Sequence, residues 1–104
     1  MDTAQKVEIA TNSKKQGNDL LMENQFQAAI SKYSDGISYV EDDDDEAAKA
    51  ILKTLRMNLS QACIKAKRFV EAIENCTKVL KVDEKNIKTL YRRAVAYLGN
   101  QQFE

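Results

Sequence analysis

The chain of 104 residues has no His, no Trp and no Pro, and only three Gly and two Cys. Without His there is no Ser-His-Asp or Cys-His nucleophile, no HExxH metalloprotease site and no Cys/His zinc cluster. Gly17, Gly36 and Gly99 lie singly, so neither a GxxxxGK[ST] nor a GxGxxG phosphate loop is present. With so few strand and turn punctuators, an Ala-, Leu-, Lys-, Glu- and Gln-rich chain is expected to be all-α. No apolar run approaches the roughly 18 residues of a membrane span, and the first 15 residues lack a signal-peptide core. Two cysteines make no secreted disulfide framework. The expected setting is the cytosol, with no membrane partner, no metal and no cofactor, and the chain itself is not expected to be an enzyme.

Charge is balanced, sixteen Lys and Arg against sixteen Asp and Glu, so no overall field calls for a nucleic-acid partner. The balance hides an asymmetry. Residues 41–46 are six consecutive acids, and without them sixteen basic residues face ten acidic ones. The run lacks the alternating ligands and central Gly of an EF-hand loop. It is expected to form a mobile cap or loop that its own repulsion keeps from packing.

An internal repeat organises the chain. Residues 15–37 overlay residues 58–80, matching Phe26 to Phe69, Ala29 to Ala72, Ile30 to Ile73 and Ile37 to Leu80. A third copy sets Ala94 under Ser60 and Phe103 under Phe69, a step of 34 residues. Gly17 to Ser60 spans 43, so the first junction carries nine extra residues, and the acidic run lies inside them. Apolar stripes at helical spacing run through Phe26–Val40, Leu52–Ala66 and Phe69–Leu80, with Leu90, Tyr91, Ala94, Tyr97 and Leu98 starting another. Polar corners separate them at residues 23–25, 67–68, 83–86 and 99–101. The expectation is five helices, over about 5–22, 26–40, 46–66, 70–82 and 87–99, each antiparallel to the next. Gly17, Ala29, Ala62, Ala72 and Ala94 are expected at close helix crossings. Cys63 and Cys76 are expected as core thiols, and Tyr33, Tyr91 and Tyr97 as packing aromatics. Two sequons, at Asn58 and Asn75, have no meaning in a cytosolic chain.

These features resemble a tetratricopeptide-repeat domain across residues 8–104. The small residue, the Ala and the aromatic before it are kept, whereas the first-helix Trp is absent and Glu41 or Glu84 stands where the family has Pro. The resemblance implies one domain: a right-handed superhelical stack of helix-turn-helix units, about two and a half repeats. Repeat one would cover about 8–41, an acidic insertion about 41–49, repeat two about 53–86, and a truncated third repeat about 87–104. Leu90, Tyr91, Tyr97 and Leu98 are then expected to lack a covering helix, as in an excised fragment or a chain that borrows a partner's surface.

In such a stack the first helix of each pair lines a concave groove. Lys14 and Asn18, four apart, share a face of the first helix; Asn58 lies on the third; Lys88 and Arg92, again four apart, lie on the fifth. Three cations and two carboxamides in adjoining rows suit carboxylates, as at the tip of a peptide that ends in an acidic residue. Charge-assisted hydrogen bonds there are worth roughly 1.5–3 kcal/mol each, and Asn both donates and accepts. Capture of a chain end is a recognised peptide-binding mode.

The five positions further resemble the two-carboxylate clamp of tetratricopeptide co-chaperones, which hold the C-terminal Glu-Glu-Val-Asp of cytosolic heat-shock chaperones. The matching elements are Lys14-Lys15-Gln16-Gly17-Asn18, Asn58 and Lys88-Thr89-Leu90-Tyr91-Arg92. By the same resemblance, Leu21, Ile64 and Lys65 would line the walls against the peptide's upstream Val and Met. The lengthened first junction resembles the immunophilin co-chaperones, FK506-binding proteins and cyclophilins, which favours the 90-kDa over the 70-kDa chaperone class. In those proteins a prolyl isomerase domain precedes the repeats; nothing in these residues encodes one. The alternative is a scaffold whose uncovered third repeat drives homo-oligomer formation by self-association or domain swapping.

Overall fold

The computed structural model describes residues 1–103, and of Phe103 the backbone only. Five α-helices follow one another: α1 (Thr3–Met22), α2 (Phe26–Val40), α3 (Glu46–Lys65), α4 (Phe69–Val82) and α5 (Ile87–Phe103). No strand occurs among the described residues. Each helix packs on the next, and α3 also touches α1 and α5, whereas the backbones of α2 and α4 do not approach each other. The chain therefore curls, with α1, α3 and α5 on one side and α2 and α4 on the other. Its 19 Å thickness is that of two helix layers.

Local chemistry explains the helix ends. Asp2 and Gln5 form a reciprocal capping box at the start of α1, at 2.9 and 3.0 Å. Asp45 Oδ1 accepts from Ala47 N to open α3, and Asn86 Oδ1 accepts from Thr89 N to open α5. The ends of α1 and α3 are the same motif. Gln25 N donates to Leu20 O and Asn24 N to Leu21 O; 43 residues on, Arg68 N donates to Cys63 O and Lys67 N to Ile64 O. Asn24 and Lys67 occupy the left-handed position with φ of 62° each. This is the 6→1 and 5→2 pairing of a Schellman end, and it turns the chain straight into α2 and α4 without a side-chain cap.

The core runs through all five helices, from Ala10 through Ala29, Tyr33 and Val40 to Leu55, Ala62, Cys63, Ala72 and Ala96. Both cysteines are free and buried, as expected of core thiols. Burial is the main reason that the Cys63 thiol is pushed up to about 12 and that of Cys76 is raised as well.

Three expectations need correcting. The acidic run is a loop up to Asp45, as expected, but it packs in part. Asp43 accepts from Thr3 Oγ1 at 2.7 Å and lies 3.8 Å from Lys6 Nζ, and Glu41 pairs with the largely buried Arg56 at 3.6 Å. Cations from α1 and α3 outweigh the repulsion within the run. The third helix begins where expected, at Glu46: it starts fourteen residues before Ser60, α5 only seven before Ala94, so most of the insertion adds about two turns to α3.

The corner expected at 99–101 is absent, because α5 continues to Phe103. Gly99 lies against the Phe69 ring instead of ending the helix. Lastly, Ala94, Tyr91 and Tyr97 are exposed, and Ala96 is the small residue buried on α5. The inward face of α5 is Thr89, Arg92, Arg93, Ala96 and Gly99, spaced by three and four, while Leu90, Tyr91, Tyr97 and Leu98 face outward. Glu104, the last residue of the expected third repeat, and the Phe103 side chain lie outside the described residues.

Candidate functional site

The five polar residues singled out from the repeat register all fall on α1, α3 and α5, the three helices that adjoin on one side. At their centre is a hydrogen-bonded chain across three helices. Asn58 Nδ2 on α3 donates to Asn18 Oδ1 on α1 at 3.0 Å. Tyr33 Oη, from α2, donates to the same oxygen at 2.5 Å. Asn18 and Asn58 are half-buried and Tyr33 is fully buried.

Arg92 joins this centre from α5. Its Nη1 donates to the Met57 carbonyl at 3.2 Å, one residue before Asn58, and Nη2 lies 3.4 Å from Gln61 Oε1. The neighbouring Arg93 reaches the other way, to Thr77 Oγ1 on α4. The two arginines thus seat α5 between α3 and α4, and a guanidinium with five N–H groups keeps donors for a ligand after bonding α3.

Lys14 and Lys88 are less committed. Each lies one turn ahead of its partner, Lys14 before Asn18 and Lys88 before Arg92. Lys14 is half-buried, Lys88 is exposed, and neither amine has a hydrogen-bond or ion-pair partner among the described residues. Of the three wall residues, Leu21 and Ile64 are half-buried against the core and Lys65 is exposed. None of them joins the Asn18–Asn58 network.

Chemically, the face offers two uncommitted ammonium groups, a pre-oriented guanidinium and two carboxamides fixed to each other. It has donors and positive charge, suited to carboxylates. It has no nucleophile activated by a base. Among the described residues no group of three or more His, Cys, Asp and Glu is placed to hold a metal, and no helix is long and apolar enough to cross a membrane.

Reading the sequence missed Tyr33, Met57 and Gln61 as parts of this face. Tyr33 reads as a packing residue because its ring lies on the apolar stripe of α2; nothing in the spacing tells that its hydroxyl reaches α1. A groove of about 520 Å³ lies elsewhere, between the acidic run, α3 and α4, with Leu52, Val79 and Val82 between charges of both signs. It does not include any of the five.

No family model matches the chain. The bovine peptidyl-prolyl cis-trans isomerase FKBP4 is 33% identical over 110 residues, which cover all of this chain and 24% of that protein. The Hsp70/Hsp90 co-chaperone CNS1 of Saccharomyces cerevisiae is 36% identical over 97 residues, covering 93% of this chain and 24% of its own length. The chain thus spans about a quarter of the length of these curated relatives. Among solved structures, the C-terminal TPR-containing domain of an FK506-binding protein from Plasmodium falciparum superposes with a TM-score of 0.83. It is 31% identical, and the match covers 98% of this chain and 74% of that one.

Proposed function

Since the chain belongs to the tetratricopeptide-repeat domains of the immunophilin type, we propose that it is a co-chaperone interaction module that binds the acidic C-terminal tail of a cytosolic heat-shock chaperone. Lys14, Asn18, Asn58, Lys88 and Arg92 form the two-carboxylate clamp, and Leu21, Ile64 and Lys65 flank the upstream residues of the tail. The module binds and catalyses nothing; the isomerase activity in the name of the bovine relative is a property of a protein four times as long.

The single observation that carries this reading is the bonded pair Asn18–Asn58 with Arg92 held one residue away, across three helices. Residues 40 and 34 positions apart in sequence converge there without any core requirement for polar groups. The yeast relative CNS1, named for both Hsp70 and Hsp90, supports a chaperone partner of either class; the lengthened junction favours the 90-kDa one. The site acts by charge: Lys14 and Lys88 supply ammonium groups, Arg92 a fork, and the carboxamides the directional donors.

The test is calorimetric titration with a Met-Glu-Glu-Val-Asp peptide. Lys14→Ala and Lys88→Ala are expected to weaken binding more than about tenfold each, in line with the loss of one charge-assisted hydrogen bond, with helicity unchanged. Because the ionic groups are solvent-accessible, raising salt from about 50 to about 500 mM should weaken binding too. Affinity indifferent to both would refute an ionic clamp.

A second reading has one observation in its favour. Leu90, Tyr91, Tyr97 and Leu98 form an exposed apolar row on α5, which suits self-association of this chain. It calls for a molar mass that rises with concentration in light scattering and falls back on Tyr91→Lys, with tail binding irrelevant to the effect.

A further inference from the structure

The Asn18 side chain is a junction whose polarity is set from the side facing the core. Its Oδ1 accepts two hydrogen bonds, from Tyr33 Oη at 2.5 Å and from Asn58 Nδ2 at 3.0 Å. A carboxamide oxygen has two lone pairs, so both are occupied. What Asn18 has left for a ligand is Nδ2 with its two N–H groups. Tyr33 is fully buried, and burial pushes its hydroxyl up to about 12, so the phenol keeps its proton and acts as a donor at neutral pH.

The two asparagines alone would not decide this orientation. Turning both carboxamides over preserves their mutual hydrogen bond with donor and acceptor exchanged. In that arrangement Asn18 Nδ2 would donate to Tyr33 Oη, and the phenolic hydrogen would be left without an acceptor. Asn18 is the one hydrogen-bond partner of Tyr33 among the described residues. An unmade bond at a buried donor costs enough to favour the observed orientation by about tenfold.

We infer that Tyr33 is a positioning residue for ligand selection: by holding the Asn18 carboxamide with its oxygen inward, it leaves Asn18 a donor-only contact, which takes either oxygen of a carboxylate but only the oxygen of a carboxamide at the ligand position Asn18 meets. This rests on the clamp reading of Asn18. It adds a polarity filter to what charge alone provides, since Lys14, Lys88 and Arg92 favour any anion and do not sense the direction of a hydrogen bond.

Three peptides test it: Met-Glu-Glu-Val-Asp as free acid, the same peptide as C-terminal amide, and Met-Glu-Glu-Val-Asn as free acid. They are titrated into the unsubstituted chain and into Tyr33→Phe, which keeps the ring and removes only Oη. The unsubstituted chain is expected to prefer the first peptide over at least one carboxamide peptide. In Tyr33→Phe the Asn18 carboxamide populates both orientations, so the first peptide weakens by about twofold and the disfavoured one gains by up to about fivefold. Their ratio therefore falls by about twofold to tenfold.

Two unchanged ratios in a Tyr33→Phe chain with native helicity overturn the positioning role and leave the clamp standing. Equal binding of all three peptides by the unsubstituted chain overturns the clamp, and the positioning role with it. A measurement independent of the variant is the ¹H–¹⁵N spectrum of the unsubstituted chain. Adding the free-acid peptide is expected to move the Asn18 Nδ2–H pair strongly; a pair that stays in place while the peptide binds overturns the inference.

Discussion

Gly17 sits in the motif that links Lys14 to Asn18, and its missing side chain is a packing requirement. A Cβ built there would lie 2.6 Å from Tyr33 Cδ1 and 2.9 Å from Tyr33 Cζ. These are well inside van der Waals contact, against a ring that is fully buried and tied at its hydroxyl to Asn18. The ring has nowhere to retreat, so Gly17→Ala must spread α1 from α2. Overpacking of this kind costs about 1–3 kcal/mol, offset by a helix-propensity gain of at most about 1 kcal/mol. A net loss of about 1–2 kcal/mol is expected, and a melting temperature lower by roughly 5–15 °C for a domain of this size. Gly36→Ala is the control. Its Cβ would meet Ser13 Cβ at 3.0 Å and Leu55 Cδ1 at 3.1 Å, side-chain atoms that yield by tenths of an ångström, so its melting shift should be smaller. Both are read by circular dichroism melts and urea titration. A Gly17→Ala chain as stable as its parent, or more stable, would refute the close crossing of α1 and α2 and the anchoring of Tyr33.

Other consequences are open to direct measurement. The backbone N–H of Asp45 and the hydroxyl of Thr3 hold the Asp43 carboxyl below its ordinary range, with Lys6 adding to them. A depressed folded pKa means that the native state binds fewer protons, so Asp43 stabilises the chain at neutral pH and that contribution disappears as pH falls below about 4. Asp43→Asn should lower the melting temperature at pH 7 and lower it by less at pH 2.5; equal losses at both would contradict the linkage. Cys63, at about 12, and the likewise raised Cys76 should resist a thiol reagent at pH 8, since the thiolate is the reactive form. Labelling at the rate of unfolding is expected, and immediate stoichiometric labelling would contradict the burial of both.

The helices were legible because their apolar residues repeat at three and four, and α2, with its stripe from Phe26 to Val40, begins and ends where that stripe does. The corners after α1 and α3 were legible as polar but not as Schellman ends, since neither Asn24 nor Lys67 is the Gly that signals a left-handed residue. Gly99 failed in the opposite sense. It reads as a stop, yet α5 continues because Phe69 of α4 fills the space beside it, a contact between residues thirty apart. The acidic run misled for a similar reason: repulsion between neighbours is visible in the sequence, whereas Lys6 and Arg56 come to it only through the fold. The placement of Lys14, Asn18, Asn58, Lys88 and Arg92 on the adjoining helices α1, α3 and α5 was legible through register and family resemblance. The part played by Tyr33 was not, because a hydroxyl at the tip of a core ring leaves no periodic signature.

The central claim is that this face recognises carboxylates at a chain end. Its most direct test is calorimetric titration of the unsubstituted chain with Met-Glu-Glu-Val-Asp as free acid and as C-terminal amide. Micromolar binding of the acid with the amide much weaker is the expected result. Equal affinity for the two would move recognition away from the chain end and contradict the clamp.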